Sequence, residues 1–358
     1  MDCSVYRHAS ARRSALLGLT LAAGLYPFVA EPALASSITP KPVVTPGFTL
    51  TVFAASPKGS SAPDSIAVVD GNVWIGYGDG HLPDGSDGLS NEIVEYSPEG
   101  KILRTISVKG HNDGLRLDPY TKRLWAIQNE DADPKLVVIE PTTGATQKYS
   151  FPKTMHGGGY DDVAFINNKA YVSASNPTLD SSGNTRGPSI VSVVLNANLT
   201  TTVTPILGGR PKAVDVALGI DKTLNLTDPD SLTATPAGDL LMTDQGDAQL
   251  VLLRLSKLKE PPIQVLPLLG GVQVDDTAFV TARHGFLLIS DTSANITYKL
   301  TSSIWKPGDA YSASTGVPAA GKTPAIPGYV GLLDRYSGAL YPAVTNLVAP
   351  HGVVFVPN

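Results

Sequence analysis

Five aspartates and one histidine open the same local pattern along this chain. Asp64-Ser65, Asp113-Gly114, Asp161-Asp162, Asp230-Ser231, Asp275-Asp276 and His351-Gly352 each run into a short segment rich in strand-forming residues. Carboxylates brought close together repel one another. They must then be protonated, be held by backbone donors, or share a cation. Oxygen donors without thiols suit calcium or magnesium, and a histidine admits zinc or manganese. The candidate ligands are therefore Asp64, Asp113, Asp161, Asp230, Asp275 and His351, for a divalent cation with calcium first and Mg2+, Mn2+ or Zn2+ as alternatives. His111, just before Asn112-Asp113, and His156, which leads Gly157-Gly158-Gly159 into Tyr160-Asp161, are candidate general bases. With Asp230 they form the candidate catalytic set. A plainer reading stands beside each: an Asp can cap neighbouring backbone N–H groups, and a lone His can be an ordinary surface-loop residue. Ser65 and Ser231 lack the G-x-S-x-G context of a serine hydrolase.

The elements that position these residues repeat with them. Three of the intervals between copies match the roughly 40–50-residue period of propeller blades, and two are longer. Gly-, Pro- and Ser-rich stretches at 208–227 and 305–327 supply the extra length. Between the copies lie hairpin signals. Asp70-Gly71 separates 65–69 from 73–77, and Ser97-Pro98-Glu99-Gly100 separates 93–96 from 102–108. Four such strands make one blade. The second repeat runs through 115–117, 124–127, 136–139 and 147–151, and the third through 163–165, 170–174, 190–195 and 201–207. The fourth takes 232–235, 239–243, 250–255 and 263–268, and residues 214–218 receive no assignment. The fifth is expected to use 277–280, 286–290 and 296–300. Strands at 329–333, 340–344 and 353–356 would then join 50–53 as a composite sixth blade. The prediction is an all-β propeller of six blades, with five as the alternative, closed by pairing of the N- and C-terminal strands. In such a ring the starts of the innermost strands converge on one channel mouth. Loops on the same face add acids and histidines, among them Asp79, His81, Glu130, Asp131 and Asp244.

Composition sets the remaining bounds. With 27 Lys and Arg against 32 Asp and Glu, the net charge is −5, which argues against a nucleic-acid partner. Residues 1–35 read as an export signal. Arg7, Arg12 and Arg13 form a basic start, 15–25 is apolar but too short to span a bilayer, and Ala33-Leu34-Ala35 is a small-residue cleavage site. The paired arginines resemble loosely a twin-arginine signal. The only cysteine, Cys3, falls inside this leader, so the mature chain would rely on its core and not on disulfides. A lead-in at 36–47 and one propeller domain over 48–358 would follow. The protein is expected to be exported, periplasmic or extracellular, monomeric and without membrane insertion, with a small molecule as its ligand or substrate.

Pro229-Asp230-Ser231, Gly238-Asp239-Leu240-Leu241-Met242-Thr243-Asp244 and Pro350-His351-Gly352-Val353-Val354-Phe355 resemble the strand openings of the SMP-30/gluconolactonase-like and NHL-type propellers. The resemblance spans most of 48–358 through short motifs. It implies one divalent cation on the channel axis, held by a Glu, an Asn and an Asp, and hydrolysis of lactones or esters. Asp64 would stand for that Glu, Asn112 or Asp113 for the Asn, and Asp230 or Asp275 for the Asp. The Glu-Gly-Pro and Pro-Asn-Gly motifs of the enzymes are absent here. Two functions stay open: a divalent-metal-dependent hydrolase of a small lactone or ester, or a non-catalytic propeller that binds a ligand or protein on its loop face. For the leader, sequencing the N-terminus of exported material should find Ser36 or a near neighbour. An intact Met1 on that material would contradict the export assignment.

Overall fold

Blades 1 and 3 begin where the sequence supplies a turn that the right-handed twist of a hairpin accepts. Asp70 and Gly71 both take positive φ, 49° and 87°, and Asn167 and Asn168 do the same at 51° and 59°. Two consecutive residues of this kind make the two-residue hairpin turn favoured between twisted strands. The computed structural model describes residues 41–255, 262–318 and 324–358. The expected leader at 1–35 lies outside them. Among the described residues there is no helix, and none long and apolar enough to cross a membrane.

Six sheets stand around a central channel. Blade 1 comprises Pro63–Val69, Asn72–Tyr77, Ser90–Tyr96 and Ile102–Lys109, and blade 2 Asn112–Leu117, Leu124–Gln128, Lys135–Ile139 and Thr146–Ser150. Blade 3 comprises Val163–Ile166, Lys169–Ser173, Pro188–Leu195 and Thr201–Gly208. Blade 4 runs from Pro229–Ala234 through Leu240–Asp244 and Gln249–Leu253 to Ile263–Pro267. It is widened by the insertion: Lys212–Asp215 pairs parallel to its outer strand, and Ile220–Thr223 pairs outside that. Apolar clusters fill the space between neighbouring blades. Trp74 and Ile93 of blade 1, for example, meet Leu115, Leu124 and Ala126 of blade 2.

The last two blades correct the expected strand membership. The innermost strand of blade 5 is Thr277–Phe279, but its next strands are Ala310–Ser314, Gly328–Leu333 and Leu340–Leu347, with Val43–Val44 added outside. The hairpin of Gly285–Asp291 and Ile296–Ser302, expected in blade 5, belongs to blade 6. There it sits between the C-terminal strand Pro350–Pro357, which is innermost, and the N-terminal strand Phe48–Ala55, which is outermost. Both chain ends thus share the closing blade, with the hairpin bridging them. Its alternating residues Leu287 and Ile289 lie opposite Phe355 and Val353. The two interleaved blades are stitched by a cluster of Phe48, Trp305, Tyr311 and Phe355, whose ring centroids lie 5.1–6.2 Å apart in edge-on contacts. Trp305 also donates its indole N–H to the Gly285 carbonyl at 3.0 Å.

One irregularity recurs in all six innermost strands. Two residues face one on the neighbouring strand at Asp64-Ser65, Asp113-Gly114, Asp230-Ser231 and His351-Gly352. In blade 3, Asp161 N–H and Asp162 C=O both pair with Ser173, and in blade 5 Asp275 N–H and Asp276 C=O both pair with Ala313. An extra residue bends the strand and re-aims its side chain. Here it recurs around the ring, where it leaves little room between blades. A Cβ at Gly114 would collide with the Asp161 carbonyl oxygen, and one at Gly352 with the Asp64 carbonyl oxygen. Gly114→Ala and Gly352→Ala should each destabilise the fold by about 1–3 kcal/mol, the usual cost of overpacking. Urea denaturation checks this. Stability unchanged from wild type in both variants would show that the blades are not in contact there.

Candidate functional site

The bulges bring the opening residues together at one mouth of the channel. Among the described residues, three sets of donor atoms each lie within 4.8 Å of one another. The first is Asp64, Asp275 and His351, the second Asp113, Asp161 and Asp230, and the third His111, Asp113 and Glu130. All six expected ligands are therefore at the mouth, divided into two sets of three. Asp64, Asp161 and Asp275 are buried, and Asp113, Asp230, Glu130 and His351 are half-buried.

The two sets differ in how their charge is handled. In the first, His351 Nδ1 lies 3.1 Å from Asp275 Oδ2 and 3.7 Å from Asp64 Oδ2. Burial alone would discharge the imidazole, but Asp275 and Asp64 outweigh it and hold its pKa well above the ordinary value. Burial likewise pushes Asp275 up, yet His351 and the Ser231 hydroxyl, which donates at 3.0 Å, leave it below the usual range. Asp64 is pushed up to about 8, by burial first and then by the charge of Asp113. One imidazolium thus serves one ionised carboxylate and leaves the other protonated.

The second set has no cation. Among the described residues, no Lys, Arg or His forms an ion pair with Asp113, Asp161 or Asp230. Asp161 is raised well above its ordinary value by burial and then by the charges of Asp113 and Asp230. Asp230 is raised by burial and then by Asp275. Glu130 is raised by burial and then by Asp113. The carboxyl oxygens of Asp161 and Asp230 lie within 4.8 Å of each other, as do those of Glu130 and Asp113, so a proton on one member of each pair relieves their repulsion.

The histidines divide in a similar way. His111 Nδ1 lies 3.1 Å from the His81 carbonyl, which can only accept. Nδ1 therefore carries the proton and Nε2 is the basic nitrogen. His156 is 1% exposed, its Nε2 donates to the Gly159 carbonyl at 2.6 Å, and burial lowers its pKa. It belongs to none of the three sets.

Backbone capping, the plainer reading of the aspartates, is carried out by the second acid of each pair. Asp162 accepts from Leu232 N–H of the next blade at 3.1 Å, and Asp276 from Val353 N–H at 3.2 Å. Between them stands Arg116, whose Nη2 donates to Asp162 at 2.7 Å and Asp276 at 2.6 Å. This link joins blades 2, 3 and 5 across the channel beneath the mouth. Arg116 and the set membership of Glu130 were not anticipated. The signal available was a single basic residue inside the apolar strand Leu115-Arg116-Leu117.

No family profile matches the chain, and no curated protein matches it. Among solved structures, the chain is similar to streptogramin B lyase, at 13% identity and a TM-score of 0.47, over 86% of this chain and 91% of that one. It is similar to a candidate gluconolactonase at 14% identity and a TM-score of 0.46, over 85% and 83%. A Bacteroides caccae protein of unknown function gives 13% identity and a TM-score of 0.48, over 84% and 89%. At these levels the likenesses assign no activity to this chain.

The titrating groups fix a sign. Asp64, Asp161, Asp230 and Glu130 hold protons in the folded state at pH values where the unfolded chain has lost them. Stability then falls as pH rises from about 4 toward 8. His351, raised as well, acts in the same direction, since its stabilisation is lost as pH rises through its folded value. Asp275 acts oppositely, but only in the acidic range below its unfolded value, and His156, lowered by burial, is a single imidazole set against the larger group of raised acids. In chelator, the melting temperature should therefore be higher at pH 5 than at pH 8. A melting temperature that rises across this interval would contradict the assignment.

Proposed function

We propose that the acidic mouth holds a divalent cation and hydrolyses a small lactone or ester. The observation that carries the reading is the second set: Asp113, Asp161 and Asp230 present donor atoms within 4.8 Å of one another, with no positive side chain paired to them. That donor set fits a hard cation. It is made of oxygen alone, it is partly open to solvent, and its excess charge is otherwise met only by protonation. Asp113, Asp161 and Asp230 would hold the ion, with Glu130 beside them. Calcium or magnesium suits these ligands best. His351 is less suited to ligation, because its Nδ1 is engaged by Asp275.

A bound divalent cation polarises a carbonyl and makes its water a better nucleophile. The chain's own residues then have separable tasks. His111, with Nδ1–H fixed on the His81 carbonyl, offers Nε2 to accept a proton. His351 is held positive by Asp275 and Asp64. With its side chain 28% exposed, it can donate a hydrogen bond that orients the substrate carbonyl. The Arg116 bridge to Asp162 and Asp276 spans the channel beneath the acids and would bound the space open to a small molecule. With residues 1–35 read as a leader, the activity belongs outside the cytoplasm, in a monomer.

The test is hydrolysis of a panel of small lactones and aryl esters by chelated protein resupplied with calcium, magnesium, manganese or zinc. Turnover should return with one of these ions. Asp230→Asn should lower kcat/KM by about 100-fold or more, since even residues behind metal ligands cost about 10–100-fold. His111→Ala should lower kcat by about 100-fold or more with KM little changed, the usual worth of a positioned proton acceptor. If no ion restores turnover, or Asp230→Asn matches wild type, the hydrolase reading fails and a ligand-binding propeller takes its place.

A further inference from the structure

The channel has a second mouth, and its chemistry is different. Beyond the bulges the innermost strands place Ile66, Leu117, Phe165, Phe279 and Phe355 around a cavity of about 370 Å³. Arg116 lines it as well, so the same guanidinium that spans the channel beneath the acids bounds this well from within. Among the described residues, both hydrogen bonds of Arg116 leave from Nη2. Nε and Nη1 make no hydrogen bond among the described residues, and the side chain is 18% exposed. A guanidinium has five N–H groups, so three remain for water or a ligand. The two hydroxyls of the innermost strands on this side, Thr233 and Thr277, are already engaged. Thr233 donates to the Thr277 carbonyl at 2.9 Å, and Thr277 bonds Ser312 at 2.7 Å.

An apolar wall with a few fixed donors is the usual make-up of a small-molecule site, and the volume lies within the usual range. The charge balance selects the ligand. Two carboxylates already bracket the single charge of Arg116, so an anionic head would gain little and would meet Asp162 and Asp276. An uncharged acceptor can still use the spare N–H groups. We propose that this well is a second ligand site, for a compact uncharged molecule that carries one hydrogen-bond acceptor, such as a ketone or ester carbonyl, on an apolar body. The assignment is independent of the hydrolase reading, because it uses none of the proposed ion ligands and neither of the histidines given a task there, and Arg116 serves that reading only as a wall.

Acetophenone is a suitable probe, with benzoate and ethylbenzene as its anionic and acceptor-free counterparts. Binding is measured by titration calorimetry or ligand-observed NMR on the wild-type chain, on Asp230→Asn, and on two variants that fill the well from its exposed rim, Ala234→Trp and Thr281→Trp. Acetophenone should bind wild type and Asp230→Asn alike, at least about tenfold more tightly than either counterpart, since a hydrogen bond from a charged donor is worth that much. Each tryptophan variant, with an unchanged melting temperature, should weaken acetophenone at least tenfold. No acetophenone binding, equal binding by both folded tryptophan variants, or benzoate binding as tightly as acetophenone would overturn the proposal.

Discussion

Carboxylates that converge on one opening repel one another, and the ring can close only if that charge is met. The repeated bulge creates the problem, because it turns the first residue of each innermost strand toward the mouth. Three devices answer it. His351 pairs with Asp275 and stands within reach of Asp64. Protonation answers for Asp161, Asp230 and Glu130, which burial and neighbouring acids push above the ordinary carboxylate range. One layer deeper, Arg116 takes Asp162 and Asp276, which in turn cap the neighbouring blades. Only the middle device relies on protons alone. It is therefore where an external cation has most to offer, since a cation favours the charged form that burial disfavours.

The channel is consequently layered. Acids of the mouth lie above, an Arg–Asp link lies in the middle, and an apolar well lies below. The layering follows from the pleat and the bulge together. The first residue of each pair is aimed at the mouth, and the second is left to serve the next blade. Close approach at Gly114 and Gly352 is the steric condition for this arrangement, since any side chain there would push neighbouring blades apart. Burying like charges in this way costs stability, as functional sites commonly do, and the interblade clusters offset it.

The propeller was legible because its repeat is carried by residues that backbone geometry demands: an acid or histidine, a small or polar residue, then a strand. The convergence of Asp64, Asp113, Asp161, Asp230, Asp275 and His351 follows from that repeat alone. The exchange of hairpins between blades 5 and 6 was not legible. The pair 285–291 and 296–302 alternates equally well beside either inner strand. Its partner is decided by contacts of high sequence separation, Leu287 with Phe355 and Trp305 with Phe48. The division of the six ligands into two sets was also hidden, because it depends on side-chain reach across the channel. For the same reason the sequence could suggest His111 and His156 as equals, whereas only His111 stands among the acids.

The central claim is that protons and a divalent cation compete for the same carboxylates. Calorimetric titration of calcium into chelated protein at pH 7, repeated in buffers of different ionisation enthalpy, measures it directly. Asp161 and Glu130 hold protons that the cation must displace. The account predicts release of about one proton or more per ion bound, with the release fading as the pH is raised. Binding with no proton release, or no binding by calcium or by magnesium in its place, would contradict it.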